Sequence, residues 1–310
     1  MDLLIIKPYR YFLVCLLFIT SACSLNSENK TYEPEYSSEL SSKTQVKINI
    51  LFGIHPLHNP QRLFEIFNPL MSYLENQLPE YHFMLEASKD YASFEEKLSN
   101  KEFHIALPNP YQTIKIIDTG YSVFAKMNDD EKFKGILLAK KNSAIKKISD
   151  LKGKKISFPA KTALAGSMMP QYYLHQHGLN LHKDISIKYV GSQESSVLSV
   201  FHNESAAGAT WPGAWNFFKT ERPEVEKELF ILFETSSLPS NSLVYRNDLD
   251  QQAVNKIKDA LLNLEKTEQG KSILKTLKLT KFVTANNDTY KPVKDFIKKF
   301  DTEIGQVNEK

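Results

Sequence analysis

Cysteine is almost missing from this sequence. Cys15 and Cys23 are the two that occur, and Cys15 lies in a segment expected to be removed, so a disulfide within one mature molecule is excluded. An excess of one charge is missing too. The formal net charge is +3 with 24 % of residues charged, which lacks the basic footprint of a nucleic-acid binder and points to a small molecule or a protein as partner. Apolar runs are short, and the one from Tyr11 to Ile19 falls below the roughly 20 residues that a membrane span needs. The body has no fixed-period repeat. It also lacks Gly-x-Ser-x-Gly, Cys-x-x-Cys, Gly-x-x-x-x-Gly-Lys and His-Glu-x-x-His, and Asp129-Asp130-Glu131 reads as a solvated loop. The reading that follows is a protein without catalytic residues, cofactor or metal, and not an enzyme.

The chain has 310 residues, of which 42 % are hydrophobic, enough for one large or two medium globular units. Its start is organised differently from the rest. Lys7 and Arg10 precede the apolar run, and Thr20-Ser21-Ala22-Cys23 follows it, the order of a signal peptide over residues 1–22. A lone cysteine after Ser-Ala resembles the lipobox of bacterial lipoproteins, with Thr20 where leucine is usual, so Cys23 is expected to carry lipid. Ordinary cleavage near Ala22 is the alternative. Residues 23–45 are rich in Ser, Glu, Asn, Lys and Thr and read as a flexible tether.

From Val46 the pattern alternates, with Val46, Ile48, Ile50, Phe52 and Ile54 on one face, as in a half-buried strand. Asn59-Pro60 then opens a helix carrying Leu63, Ile66, Phe67, Leu70 and Leu74, which Pro69 is expected to kink or split. Strand patterns recur at Phe103 to Leu107, Gly135 to Lys140, Lys155 to Phe158, Ile185 to Val190, Leu229 to Glu234 and Ser242 to Arg246. Helical patterns at Met168 to His177, Ser195 to His202, Gln252 to Leu264 and Pro292 to Phe300 alternate with them. The alternation predicts an α/β architecture with largely parallel sheets.

Several pieces in order carry a resemblance. They are Phe67-Asn68-Pro69-Leu70, the segment from Phe103 to Tyr111, the segments Phe133 to Leu138 and Ile148 to Phe158, Gly166 to Pro170, Gly191-Ser192 and Asn241 to Val244. Together the run from Lys47 to about Lys299 resembles the phosphate/phosphite/phosphonate-binding proteins of ABC transporters. The resemblance implies a two-lobed type II periplasmic-binding fold, each lobe a mixed, mostly parallel sheet flanked by helices. Lobe I would take 46–138 and 235–300, lobe II 139–234, and 301–310 would be a tail. It further implies a monomeric solute-binding protein, held to the membrane of the cell envelope by its lipid on the periplasmic or extracellular face. A small anionic solute, phosphonate- or phosphite-like or a divergent organic one, would lie in the cleft, and an ABC permease would be the protein partner. A binding subunit for a sensor kinase or chemoreceptor, and an envelope enzyme on the same fold, are the alternatives.

Candidate binding residues follow the strands. His55 and His58 follow the first, and Asn109, Tyr111 and Gln112 follow Phe103 to Leu107. Two histidines without a third ligand make a poor metal site. Pro170 fits a helix that begins near Gly166, whose first N–H groups from about Leu164 to Met169 suit an anion. Where the resembled family has Ser-Thr-Ser-Gly, this chain has Ala163-Leu164-Ala165-Gly166, and Thr162, Ser167 and Lys161 lie beside the lost hydroxyls. Gln193 stands for a family histidine, and Trp211 for an aspartate that meets a ligand amine. Trp215 and Phe218, spaced with Trp211 as on one helix face, read as core. Cys23→Ser is predicted to release the protein from the membrane fraction. An unmodified wild-type chain found soluble, cleaved elsewhere, would refute the anchor.

Overall fold

A computed structural model describes residues 46–307; the expected signal peptide, Cys23, the tether to residue 45 and residues 308–310 lie outside the described residues. The opening alternation forms β1 (Ile48–Ile54), with Ile50, Phe52 and Ile54 fully buried. Asn59 caps α1 (Pro60–Gln77), its side chain accepting from the Arg62 N–H, while Pro60 occupies the first turn. Pro69 does not split α1. Glu65, whose carbonyl loses its intrahelical donor, and Pro69 are both exposed, and buried Leu63, Ile66, Phe67, Leu70 and Leu74 pin the helix on both sides of them.

The chain continues through β2 (Tyr81–Ala87), α2 (Tyr91–Ser99), β3 (Ile105–Leu107), α3 (Pro110–Ile116), β4 (Tyr121–Met127), β5 (Lys134–Lys140) and β6 (Lys154–Phe158). A π-helical turn, Leu164–Met168, runs directly into α4 (Met169–Gln176). Then come β7 (Ile185–Tyr189), α5 (Gln193–Phe201), β8 (Ala207–Thr210), α6 (Pro212–Glu221), α7 (Pro223–Glu228), β9 (Leu229–Ser237), β10 (Ser242–Arg246), α8 (Gln251–Leu262), α9 (Glu268–Thr276), β11 (Phe282–Thr284) and α10 (Lys291–Glu303). Among the described residues no helix is long and apolar enough to cross a membrane.

The strands form two mixed sheets, one per lobe, in the orders β11-β4-β10-β3-β1-β2 and β7-β6-β8-β5-β9. In lobe I, β1 pairs in parallel with β2 and β3, whereas β10 runs antiparallel to β3 and β4. In lobe II, β6 pairs in parallel with β7 and β8, and β5 runs antiparallel to β8 and β9. Antiparallel pairs arise where the chain changes lobe: β4 leaves lobe I beside the returning β10, and β5 enters lobe II beside the departing β9.

This pairing shifts the expected boundaries. Lys134 already pairs in the lobe II sheet, so the outward crossing is 128–133 and not 138. Lobe II extends to Ser237, so the return is 238–241 and not 234. The expected tail from 301 begins as the last turn of α10, where Glu303 accepts a hydrogen bond from the Tyr172 hydroxyl at 2.8 Å.

Apolar side chains cover both faces of each sheet. On lobe I, α1, α8 and α9 pack on the face of Ile50, Phe52 and Ile54, while Phe103, Val123 and Val244 meet α2, α3 and α10 on the other. In lobe II, Trp215 and Phe218 are buried with Ile136 and Val197. The return crossing is clamped by fully buried Tyr290, whose hydroxyl donates to the Ser240 carbonyl at 2.6 Å, while the Ser240 N–H donates to Asp130 at 2.8 Å. Removing that hydroxyl leaves a buried carbonyl short of a donor. Tyr290→Phe is therefore expected to lower the unfolding free energy by about 1–3 kcal/mol in urea titrations.

Candidate ligand-binding site

The strands of each lobe aim their following loops at the space between the lobes, and helix starts gather there. Asn109 is the N-cap of α3, Ala163 precedes the π-helical turn, Gln193 is the first residue of α5, and Trp211 is the N-cap of α6. All four residues line one cavity, together with His55, Leu57, Tyr91, Phe133, Leu164, Ala165 and Asn241. Helix N-termini present unpaired N–H groups and the positive end of the helix dipole. At Ala163 and at Trp211 no side chain caps the helix, so these first-turn donors stay open. Among the described residues, no lysine, arginine, aspartate or glutamate lines the cavity. The space available to the centre of a water molecule is about 10 Å³, room for roughly one water.

His55 is 2 % exposed, and its Nδ1 lies 2.8 Å from the Leu107 carbonyl. A carbonyl only accepts, so Nδ1 carries the proton. Burial is the main cause that lowers this imidazole from the usual 6.5 to about 4, outweighing the Leu107 hydrogen bond, and His55 is neutral at pH 7. Trp211 immediately follows β8, and its Nε1 is buried without a hydrogen-bond partner; so is Oδ1 of Asn241. Gln193 is held at both ends of its amide: Nε2 donates to the Tyr91 hydroxyl at 3.3 Å, and Oε1 accepts from Thr210 at 2.9 Å. Gly166 makes that seat, since a Cβ there would lie 2.6 Å from both amide atoms.

Other expected site residues join the lobes instead of lining the cavity. Asn109 does both, donating from Nδ2 to the Thr162 carbonyl at 3.1 Å. The Thr162 hydroxyl donates to Glu95, and so does Nε2 of Gln112, whose Oε1 completes the capping box of α3. Gln112 is thus consumed by structure, because the N3 position of a helix capped by Asn109 recruits its amide. Tyr111 is buried beside Leu98 and Ile116, away from the cavity. Ser167 is buried with an unpartnered hydroxyl, and Lys161 is exposed. Pro170 is the second residue of α4, in its first turn as expected, although the helical run already begins at Leu164 with the π-helical turn. The wider π-helical turn before it replaces the regular ladder at the point where its N–H is missing.

His58 donates from Nδ1 to Glu194 at 3.3 Å across the cleft, and Asn59 donates to the same carboxylate at 3.2 Å. Burial pushes the Glu194 carboxyl up, but these hydrogen bonds outweigh it and hold the group below its usual range. Among the described residues no group of three or more His, Cys, Asp or Glu side chains could hold a metal ion. Sequence reasoning missed Leu57, Tyr91, Phe133 and Asn241. Asn241 and Phe133 stood in segments that carried the resemblance, and Tyr91 follows Asp90, the N-cap of α2; none carried a signal of its own.

Two mixed sheets joined by paired crossings, with a cavity of helix starts between them, define the class of two-lobed solute-binding proteins. Within it, this chain belongs to the ABC transporter, phosphonate, periplasmic substrate-binding protein family, whose profile matches residues 52–290. A probable ABC transporter phosphite-binding protein of Prochlorococcus marinus is 25 % identical over 190 residues, 57 % of this chain; the chain spans 64 % of that relative's length. A binding protein component of an ABC phosphonate transporter from Pseudomonas aeruginosa superposes with a TM-score of 0.75 at 20 % identity, covering 81 % of this chain and 85 % of that one. A Prochlorococcus marinus protein solved in complex with methylphosphonate gives 0.74 at 21 % identity, covering 82 % and 98 %.

His55 makes the fold pH-sensitive in one direction. Its folded pKa is below its unfolded value, so the unfolded chain binds the extra proton between pH 6.5 and about 4, and stability falls as pH drops through that window. By pH 5 the loss reaches about 2 kcal/mol relative to pH 7.5. Urea unfolding of His55→Gln is expected to show a drop smaller by that amount.

Proposed function

We propose that this protein is the solute-binding component of an ABC importer, anchored at the cell envelope through lipid on Cys23, and that it binds a small phosphonate- or phosphite-like anion between its lobes. The observation that carries the reading is the convergence of helix starts at Ala163 and Trp211, both without side-chain caps, with those of α3 and α5 on one cavity. A tetrahedral oxyanion can take N–H donors from several of these starts at once, and dipoles replace the cations that a water-exposed anion site would use. The Trp211 N–H is a further donor of the right kind. His55, neutral with Nδ1 tied to Leu107, offers a lone pair at Nε2 and so favours an acid form bearing an O–H.

Binding and closure are linked in this reading. The bonds from Asn109 to Thr162, from Gln193 to Tyr91 and from His58 and Asn59 to Glu194 span the lobes, so the closed form that a permease receives is the form in which the ligand is enclosed. Catalysis has no part in it.

A ligand ammonium finds no carboxylate in the cavity lining, where Trp211 stands in place of the aspartate of the resembled family, and burying it unpaired is costly. Isothermal titration is therefore expected to give micromolar-range binding of methylphosphonate and at least roughly tenfold weaker binding of 2-aminoethylphosphonate. Trp211→Asp should reverse that order. Equal or tighter binding of the aminoalkyl compound by the wild-type protein would overturn this account of position 211.

A further inference from the structure

Trp211 is a wall shared by two spaces. On one side lies the cavity of helix starts. On the other lies a pocket of about 130 Å³ on the same measure, and Leu57 is the other residue common to both. The inner surface of this second pocket is apolar, formed by Ile66, Phe67, Phe217 and Leu279. Charged groups at its edge are already engaged. Asp129 accepts from Lys132 at 3.2 Å and from the Thr280 hydroxyl at 3.0 Å, and Lys278 donates to the Thr220 hydroxyl at 2.8 Å. His58, also at the edge, is held by Glu194.

The indole is seated by Gly213. A Cβ at that position would come within 2.3–2.6 Å of the ring carbons Cη2, Cζ2 and Cζ3, so a glycine is what lets the ring lie against the start of α6. This seat leaves Nε1 buried and without a partner, a cost that a merely structural tryptophan would shed by turning toward an acceptor.

We infer that the solute carries an apolar organic substituent on its anionic head, and that this substituent occupies the pocket beyond Trp211. The inference rests on the anion-cavity reading given above. The cavity has room for roughly one water centre, so the walls must give way even for a compact head, and any substituent on that head has to extend past the wall. The seam between Leu57 and Trp211 is where the two spaces meet, and a shift of the indole there joins them into one two-part site. Because Asp129 is already paired with Lys132, Lys278 is hydrogen-bonded at the exposed edge, and the pocket is lined by Ile66, Phe67, Phe217 and Leu279, the substituent is an aryl or branched alkyl group rather than an ammonium. Trp211 is then the residue that sets specificity, giving an N–H to the head and a ring face to the substituent.

The test is titration of the full-length protein with methylphosphonate and with benzylphosphonate. Benzylphosphonate is expected to bind roughly ten- to a hundredfold more tightly, as burial of a ring implies. Thr276→Trp, at an exposed position of the pocket wall at the end of α9, should bring the ratio of the two affinities toward one. Asn216→Trp on α6 fills the pocket independently and should do the same. Methylphosphonate binding with no gain for the benzyl compound would overturn the inference and leave the anion cavity standing. A benzyl preference that survives both fillings would remove the substituent from this pocket. Binding of neither compound would overturn the anion cavity and the inference together.

Discussion

β4 leaves the lobe I sheet alongside β10, and β5 enters the lobe II sheet alongside β9, so the two crossings between lobes are neighbours held at both ends by antiparallel hydrogen bonds. The chain can change lobe in this way while each sheet keeps its own two-faced core. Tyr290 and Asp130 fix the return crossing by tying Ser240 from both sides. With the crossings fixed, the loops that follow the parallel strands of both lobes face one another, the arrangement in which open α/β sheets bind ligands.

The site between them is polar without being charged. A buried lysine or arginine would need a partner to offset its desolvation, and an empty cleft would then hold an unpaired cation. Helix dipoles avoid this, since the N–H groups are part of the backbone and carry only partial charge. His55 follows the same logic, discharged by burial and fixed in one tautomer by Leu107. The Glu194 carboxylate sits at the rim of the cleft, where it accepts hydrogen bonds from His58 and Asn59. Asn109, Tyr91 and Gln193 both span the lobes and line the cavity, whereas His58, Asn59 and Glu194 join the lobes without lining it.

Trp211 connects the two themes. Its backbone caps α6 toward the cavity between the lobes, its ring packs near Phe133 of the outward crossing, and its far side lines a second pocket.

Local order was legible where periodicity and capping speak through short-range physics. β1 was readable from its alternation, the start of α1 from Asn59-Pro60, and α10 from the stripe of Val293, Phe296, Ile297 and Phe300, of which Phe296 is only partly buried. β8 was not, because Ala207-Gly208-Ala209-Thr210 is wholly buried and has no polar face to alternate with. The sequence by itself determined the α/β class and a helix start near Gly166, close to the observed one at Leu164, but not the strand that Trp211 follows. Tertiary structure alone decided that Gln112 is spent on a capping box and Glu95, that Tyr91, Phe133 and Asn241 complete the cavity, and that strand 134–140 belongs to lobe II. The physical reason is the same each time. Periodicity and caps act over a few residues along the chain, whereas pairing partners and cavity walls come from segments far apart in sequence, brought together by the folding of both sheets.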